Sequence, residues 1–282
     1  MTRCIVALKL VVEFMGAQRT RRKHDETNRS RYPLGHRDDG AAMVNQPQYR
    51  LGVLVPSSNT TVETELRRYL PESVSLHVGR LPLTQIAKSS IVGILEPLEA
   101  EAEKLASADV DLILLGATAP SFIQGKGYDT TVSDRIHAAT GKPALTTSTA
   151  MLRALRTLEL EKITLGSAFD DSVNAVAASF LEANGFEVLA SRGLGLVDNL
   201  VVGRLGLETV FDVARAVDHR NAQGLLLACT NWVSMDAIDA LEEELGKPVI
   251  STAQASLWAA LSHMGWRGSI NGAGRLLREH LA

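Results

Sequence analysis

Residues 110–117 read VDLILLGA and residues 224–230 read GLLLACT, and these two runs decide the fold. Each is short, almost continuously apolar and ends in small residues, which is typical of a strand buried on both faces of a parallel sheet. Helical patterns separate such runs along the chain, so the sequence predicts an α/β fold. The other predicted strands are 50–56, 73–81, 143–147, 162–168, 186–194 and 248–253, and the helical patterns include 60–70, 94–107, 148–158, 170–184, 207–219 and 234–245.

The alternation repeats after about 105–113 residues. Gly141-Lys142-Pro143 recurs as Gly246-Lys247-Pro248, and the segment 51–62 is echoed by 163–173 in the same order. Such ordered echoes favour a duplicated unit over the general likeness of all parallel α/β chains. We expect two pseudo-symmetric lobes, each a four-stranded, mainly parallel sheet flanked by helices, with the active site in the cleft between them. The predicted lobes are 50–147 with 252–282, and 148–251.

Residues 1–49 differ from the rest of the chain. They hold nine Lys or Arg against five Asp or Glu, and their polar stretch 18–49 predicts a disordered N-terminal extension. This segment is either a basic arm or targeting peptide, or a non-functional extension ahead of a start at Met43. Its apolar residues 4–17 are too few to span a bilayer. We therefore expect a cytoplasmic protein.

Composition excludes several classes of function. The net charge of −3 does not favour nucleic-acid or membrane partners, and a homo-oligomer stays open. Two cysteines, Cys4 and Cys229, exclude a disulfide framework. Neither a dinucleotide fingerprint nor a phosphate-binding loop occurs, the seven histidines lack metal-ligand spacing, and no Ser–His–Asp triad can be assembled. We expect neither a metal nor a cofactor.

Four segments rich in small polar residues stand where a predicted strand becomes a helix. They are 56–61 (PSSNTT), 116–119 (GATA), 146–149 (TTST) and 229–231 (CTN). Ligands of parallel sheets bind beyond the carboxyl ends of the strands, and helix N-termini suit carboxylates. The segments therefore predict an anion site, although each one alone is also what helix capping requires.

Cys229 is the sharpest candidate for chemistry. It ends an apolar strand and precedes Thr230-Asn231, where we expect a helix to begin and to lower the pKa of the thiol. The alternative is an ordinary core cysteine. In the duplicated half its counterpart is Gly116, so a second thiol is absent. A lone thiol can exchange a proton with one face of a substrate or act as a single nucleophile.

Over residues 50–270 the chain resembles the aspartate/glutamate racemase superfamily, in its maleate cis–trans isomerase and arylmalonate decarboxylase branch. The residues that carry this resemblance are Pro56-Ser57-Ser58-Asn59-Thr60-Thr61-Val62-Glu63, the segment 116–125 ending in Ser121-Phe122-Ile123-Gln124-Gly125, Ser148-Thr149-Ala150, Asp198-Asn199 with Gly203-Arg204, and Cys229-Thr230-Asn231.

The resemblance implies a cofactor-independent enzyme on a small dicarboxylate or oxo-acid. It implies Cys229 as the catalytic residue, and Asn59 and Asn199 as contacts to substrate carboxylates. Gly116 in place of a first cysteine resembles the decarboxylase, in which the remaining thiol protonates an enediolate. Two positions depart from the family pattern, because Phe169 stands for a tyrosine and Ala117 for a hydroxyl residue that precedes Thr118. The predicted substrate-binding residues are Ser57, Ser58, Asn59, Gly116, Ala117, Thr118, Phe169, Asn199, Thr230 and Asn231.

Three functions follow from these residues. The first is decarboxylation or proton transfer at carbon with Cys229 as the acid or base. The second is a maleate isomerase-type reaction with Cys229 as the sole nucleophile, which predicts that a Gly116→Cys change raises the rate. The third, suggested by Phe169 and Gly116, is a dicarboxylate-binding protein without catalysis.

Overall fold

The computed structural model describes residues 47–281 as two four-stranded sheets. The first sheet has the strand order β2-β1-β3-β4 and the second has the order β6-β5-β7-β8. Every neighbouring pair of strands is parallel. The strands are Tyr49–Pro56 (β1), Val74–Leu81 (β2), Leu112–Leu115 (β3), Ala144–Thr146 (β4), Lys162–Phe169 (β5), Glu187–Leu196 (β6), Gly224–Ala228 (β7) and Val249–Ser251 (β8).

The two sheets therefore share one topology, and the predicted fold class is confirmed. The central strands β1 and β5 lie between equivalent partners in each sheet, as duplication requires. In the centre of each sheet the strands are buried along their length, because helices cover both faces. This burial explains why β3 and β7 are continuous leucine-rich runs rather than alternating ones.

The helices begin within a few residues of the predicted positions where a prediction was made. They are Val62–Tyr69 (α1), Lys88–Gly93 (α2), Leu98–Ala106 (α3), Thr118–Phe122 (α4), Tyr128–Thr140 (α5), Thr147–Thr157 (α6), Asp171–Ala183 (α7), Asn199–Val202 (α8), Leu207–Val217 (α9), Ile238–Leu245 (α10), Thr252–His263 (α11) and Gly274–Glu279 (α12). The predicted helix 234–245 is shorter than expected, because a single 3₁₀ turn, Met235–Ala237, precedes α10.

Helix α11 was not among the predicted helices, for a physical reason. Its residues from Thr252 to Leu261 are all buried, so the helix has no exposed face and no amphipathic period. It packs against α6, its counterpart after β4. Both helices begin at side-chain caps: Thr146 Oγ1 accepts from the Thr149 N–H at 3.1 Å, and Ser251 forms a capping box with Gln254.

The packing of α6 against α11 brings the two halves together. Ser256 Oγ of α11 donates to Thr147 Oγ1 of α6 at 3.1 Å, in a region where both side chains are fully buried. One hydrophobic cluster runs from β1 through these helices to β5 and β7. The ends of the central strands are thereby held at fixed positions around a common centre.

Residues 1–46 of the predicted extension 1–49 lie outside the described residues. The last residue of that predicted extension, Tyr49, is the first residue of β1. Among residues 47–281, no helix is both long enough and apolar enough to cross a membrane.

Candidate active site

A cavity lies where the carboxyl ends of the central strands meet. Segments after β1, β3, β5 and β7 contribute to its wall, and the space unfilled by atoms is about 280 Å³, mouth included. Much of this space is open to solvent, so the enclosed part has room for a ligand of only a few atoms. The lining residues are Pro56, Asn59, Leu83, Ile86, Ala117, Thr118, Ala119, Pro120, Phe169, Asn199, Cys229, Thr230 and Asn231.

The wall of the cavity has a polar and an apolar part. Amide and hydroxyl groups come from Asn59, Thr118, Asn199 and the pair Thr230-Asn231, whereas proline, leucine, isoleucine, alanine and phenylalanine supply the rest. None of the described residues that line it is charged. An anion bound here would be stabilised by N–H and O–H dipoles rather than by the charge of a lysine or an arginine.

Cys229 lies on this wall in an unusual backbone conformation. Its φ of 143° falls in a region that favours glycine, and such a conformation stores roughly 1–3 kcal/mol of strain. The Cys229 N–H donates to Thr252 Oγ1 at 3.2 Å, which secures the backbone at the start of α11. A strained backbone at a residue that lines a cavity is a feature of functional sites.

The prediction of a lowered thiol pKa is wrong. The chain forms a turn rather than a helix after Cys229, and the side chain is 7% exposed. Burial raises the pKa of Cys229 to about 12, although N–H groups of Asn231 and Trp232 favour the thiolate in part. The sulfur therefore carries its proton at neutral pH.

Gly116, the counterpart of Cys229, does not line the cavity. A Cβ at this position would come 2.8 Å from Val53 Cγ1, so even an alanine would require the Val53 side chain to move. The Gly116 carbonyl accepts from Thr230 Oγ1 at 3.1 Å. Gly116 thus contributes a backbone contact between the two halves, and its Cβ direction is already filled by Val53.

Asn59 and Thr60 of the first half bind the turn after Cys229. Asn59 Nδ2 donates to Thr230 Oγ1 at 3.3 Å, and its Oδ1 accepts from the Thr61 and Val62 N–H groups. The Thr60 N–H donates to Asn231 Oδ1 at 2.8 Å. The side chains predicted to hold substrate are therefore themselves positioned by bonds across the cleft.

Asn199 is held in the same way from the second half. Its Nδ2 donates to Ser58 Oγ at 2.8 Å, and its carbonyl accepts from Asn231 Nδ2 at 2.6 Å. Gly203, at the end of α8, permits this approach, because a Cβ there would collide with the Thr60 hydroxyl and press on the Asn231 amide. Gly203 thus leaves the space that Thr60 and Asn231 occupy beside Asn199.

Ser57 and Ser58 do not line the cavity. The Ser58 hydroxyl donates to the Leu83 carbonyl, and Ser57 Oγ accepts from the Leu83 N–H at 3.1 Å. Both serines therefore fasten the segment after β2 that supplies the apolar side chains Leu83 and Ile86 to the wall.

Two predicted residues that depart from the family pattern lie on the apolar part of the wall. Ala117 presents a methyl group, and Phe169 is buried with its ring edge-to-face on Phe122, at 6.1 Å between centroids. The segment 146–149, by contrast, is not part of the cavity. Thr146 caps α6 and Ser148 bonds Ser121, so capping and packing account for these hydroxyls.

Thr252 is a site residue that sequence reasoning missed. It accepts from the Cys229 N–H and from Thr118 Oγ1, the latter at 3.3 Å, and so joins the two strand ends. The sequence did hold a signal for Thr252. It follows Gly246-Lys247-Pro248 at the same distance along the chain at which Thr147 follows Gly141-Lys142-Pro143.

Comparisons with known proteins agree with this geometry. The arylmalonate decarboxylase family model matches residues 51–277. A maleate isomerase of Geobacillus stearothermophilus is 28% identical over 81% of this chain and 97% of its own length. An arylmalonate decarboxylase of Bordetella bronchiseptica is 29% identical over 81% of this chain and 96% of its own length.

Among solved structures, a maleate cis–trans isomerase of Nocardia farcinica has a TM-score of 0.79 at 26% identity, over 82% of this chain and 98% of that one. That structure is a cysteine-to-serine variant with a covalently bound succinylcysteine intermediate. The predicted resemblance, and with it the prediction of an enzyme of this branch, is confirmed. The family model spans most of the chain, and the chain therefore belongs to the arylmalonate decarboxylase family.

Proposed function

We propose that this protein decarboxylates, or moves a proton at carbon of, a small dicarboxylate, with Cys229 as the proton donor. The observation that carries the proposal is that Cys229 supplies a single thiol to the cavity wall, since its counterpart Gly116 has no side chain. Burial holds the proton of Cys229 on the sulfur, since the pKa is raised to about 12. A neutral S–H group is suited to donate a proton, whereas a nucleophile must first be a thiolate.

The division of the cavity wall fits such a substrate. One carboxylate would accept hydrogen bonds from the second N–H of the Asn59 amide and of the Asn199 amide, which come from the two halves of the molecule. The other would lie against Leu83, Ile86 and Pro120, where a charge is poorly solvated. Loss of this carboxylate as neutral carbon dioxide relieves that desolvation.

The proposed reaction breaks one carbon–carbon bond and forms one carbon–hydrogen bond, and it needs no cofactor. The bond between the carbon and the departing carboxylate breaks, its electron pair forms an enediolate on the remaining carboxylate, and carbon dioxide leaves. The enediolate carbon then takes the proton from Cys229. The resulting thiolate accepts hydrogen bonds from the Asn231 and Trp232 N–H groups until water returns a proton.

Product analysis with substituted malonates tests this function. Methylmalonate and a small arylmalonate are incubated with the protein in deuterated water and followed by proton NMR. We expect carbon dioxide release and one deuterium at carbon, and a fall of about 10²–10⁴ in rate for Cys229→Ser, the range that a general acid contributes. Full turnover by Cys229→Ser would reject Cys229 as the proton donor.

A second candidate is isomerisation of maleate to fumarate with Cys229 as nucleophile. In this reaction the cavity-lining amides of Asn59 and Asn199 would each bind one carboxylate of maleate, and several relatives are named maleate isomerases. The raised pKa of Cys229 counts against this reaction. A fumarate signal with maleate and no carbon dioxide from any malonate would favour it over decarboxylation.

Binding without turnover is the third outcome that the same panel can show. Thermal stabilisation by dicarboxylates, with every substrate recovered intact, would support a protein that kept the cavity and lost the chemistry. The predicted cytoplasmic location and homo-oligomer stay predictions.

A further inference from the structure

Glu65, on α1, is a buried carboxylate that the reaction proposed above does not use. It is 6% exposed, and its Oε1 accepts from the Ser234 and Met235 N–H groups, each at 2.7 Å. Its Oε2 is buried and has no hydrogen-bond partner. A half-satisfied buried carboxylate is expensive, which makes its presence informative.

The two N–H groups lie five and six residues after Cys229, where the 3₁₀ turn Met235–Ala237 begins. Glu65 comes from the first half of the molecule and the turn from the second, so its bonds hold the thiol-bearing segment against α1. The fold itself does not require this carboxylate. In the echoed segment Val62 matches Val173, and three residues further on the counterpart of Glu65 is Val176.

Charges around Glu65 come from two elements, α1 and the 3₁₀ turn. Burial raises the pKa of Glu65 to about 7, Asp236 of the 3₁₀ turn adds to the rise, and Arg68 of α1 opposes it. Tyr69, also on α1, bonds Asp236. The neighbouring helix α11 carries no acidic or basic residue except His263 at its end, which interacts with Arg153.

Glu65 and Cys229 are electrostatically linked. The negative charge of Glu65 raises the pKa of Cys229, in addition to the effect of burial. Ionising both groups in one buried region brings two like charges together, so each ionisation opposes the other.

We propose that Glu65 is a positioning residue for Cys229: its two hydrogen bonds hold the segment that follows the thiol against α1, and its buried charge opposes ionisation of the thiol. The inference rests on the proposed function, because a proton donor must lose and regain its proton in every turnover. When Glu65 is ionised, the Cys229 thiol keeps its proton. When Glu65 is neutral, the thiol loses its proton more readily.

Alkylation of the thiol tests this without any substrate. A Cys4→Ser background leaves Cys229 as the chain's one thiol, and iodoacetamide labelling is followed by mass spectrometry from pH 5.5 to 9. Labelling follows the thiolate fraction, which rises about tenfold per pH unit below a single pKa. With Glu65 in place, we expect the labelling rate to rise by less than tenfold per pH unit around pH 7. For Glu65→Gln we expect the full tenfold rise per pH unit, and labelling at least about threefold faster than in the parent at pH 8.

Glu242→Gln is the matched control. Glu242 is also a buried carboxylate that accepts from two backbone N–H groups, those of Val249 and Arg275, and burial raises its pKa. Its charge does not contribute to the shift of Cys229. We expect its labelling profile to match that of the Cys4→Ser parent.

Two results would overturn the inference. One is a parent profile that rises steadily by about tenfold per pH unit through pH 7, which needs no variant to fold. The other is a folded Glu65→Gln protein, judged by its unfolding temperature, whose profile coincides with the parent. Because labelling needs no turnover, a failed substrate panel would reject the proposed function and leave this test intact.

Discussion

The ends of β3 and β7 occupy equivalent places in two sheets of the same topology, yet only one carries a thiol on the cavity wall. After β3, Gly116 has its Cβ direction filled by Val53 and offers its carbonyl to Thr230. After β7, Cys229 has a φ of 143° and its side chain faces the cavity. The two strand ends are equivalent in topology, but their backbone conformation and packing differ, and among the described residues only the end of β7 presents a thiol to the cavity.

The same contrast holds for the residues behind each strand end. Glu65 supports the turn after Cys229, whereas its counterpart in the other half is Val176. Thr252 receives the Cys229 N–H, whereas its counterpart Thr147 donates to the Leu115 carbonyl at 3.0 Å. The asymmetry therefore extends from the thiol to the groups that hold it.

The largest effect is expected from making the two ends alike. Cys229→Gly removes the thiol, so we expect turnover to fall by about 10²–10⁴, as for loss of a general acid. Stability should change by less than about 1–2 kcal/mol, because relief of the strained φ offsets the lost burial. Turnover of the best malonate and urea unfolding measure the two effects. More than a tenth of the parent rate would show that the asymmetry is not catalytic.

The next effect concerns Glu65 and pH. The folded pKa of about 7 lies above the ordinary value of 4.5, so the folded state holds this proton more tightly than the unfolded chain. Stability is therefore greatest below about pH 4.5 as far as this group is concerned, and falls as pH rises to about 7, by about 3 kcal/mol. Urea unfolding at pH 5.5 and 7.5 should show the fall in the parent and a smaller one in Glu65→Gln. Equal falls in both would place the titration elsewhere, Glu242 being the first alternative.

Filling the space at Gly116 tests why the first half lacks a thiol. Gly116→Ala places a Cβ against Val53 Cγ1 and should destabilise the protein by about 1–3 kcal/mol, as overpacking does. Adding Val53→Ala should recover part of the loss in Gly116→Cys, which makes the double variant the fair test of a second thiol. Gly93→Ala is the control, since the nearest atom to its Cβ is 3.9 Å away. An unchanged free energy of unfolding for Gly116→Ala would show that the Val53 side chain moves aside at little cost.

The last comparison concerns the two equivalent threonines, Thr252 and Thr147. Thr252→Val leaves the Cys229 N–H without its acceptor and should cost about 1–3 kcal/mol. Thr147→Val leaves the Leu115 carbonyl without its hydroxyl donor and should cost a similar amount. Only Thr252→Val should also slow turnover, because it frees the backbone of Cys229. Equal turnover in both variants would contradict a role for Thr252 beyond stability.

Much of the fold was predictable from local pattern. All eight strands overlap the predicted ones, and the Gly-Lys-Pro echo precedes the equivalent strands β4 and β8. The polar segments after β1, β3 and β7 do meet at one cavity. Segment 146–149 did not join them, because a run of threonines and serines cannot be told from a helix cap without its neighbours.

The pKa of Cys229 could not be predicted from sequence, and the expected sign was wrong. It depends on a turn that replaced the expected helix, on near-complete burial, and on Glu65 more than 160 residues earlier in the chain. Val53, Thr252 and Glu65 act on Gly116 or Cys229 only because the fold brings them there.

The sequence by itself determined the α/β duplication, the family and the single thiol of the body, since periodicity, motif order and residue type are local properties of the chain. Only the tertiary structure decided what that thiol is: a protonated, strained and buried group on an uncharged cavity wall. The physical reason is that ionisation and reactivity depend on solvent exclusion and on charges contributed by distant residues, which have no signature in the local pattern.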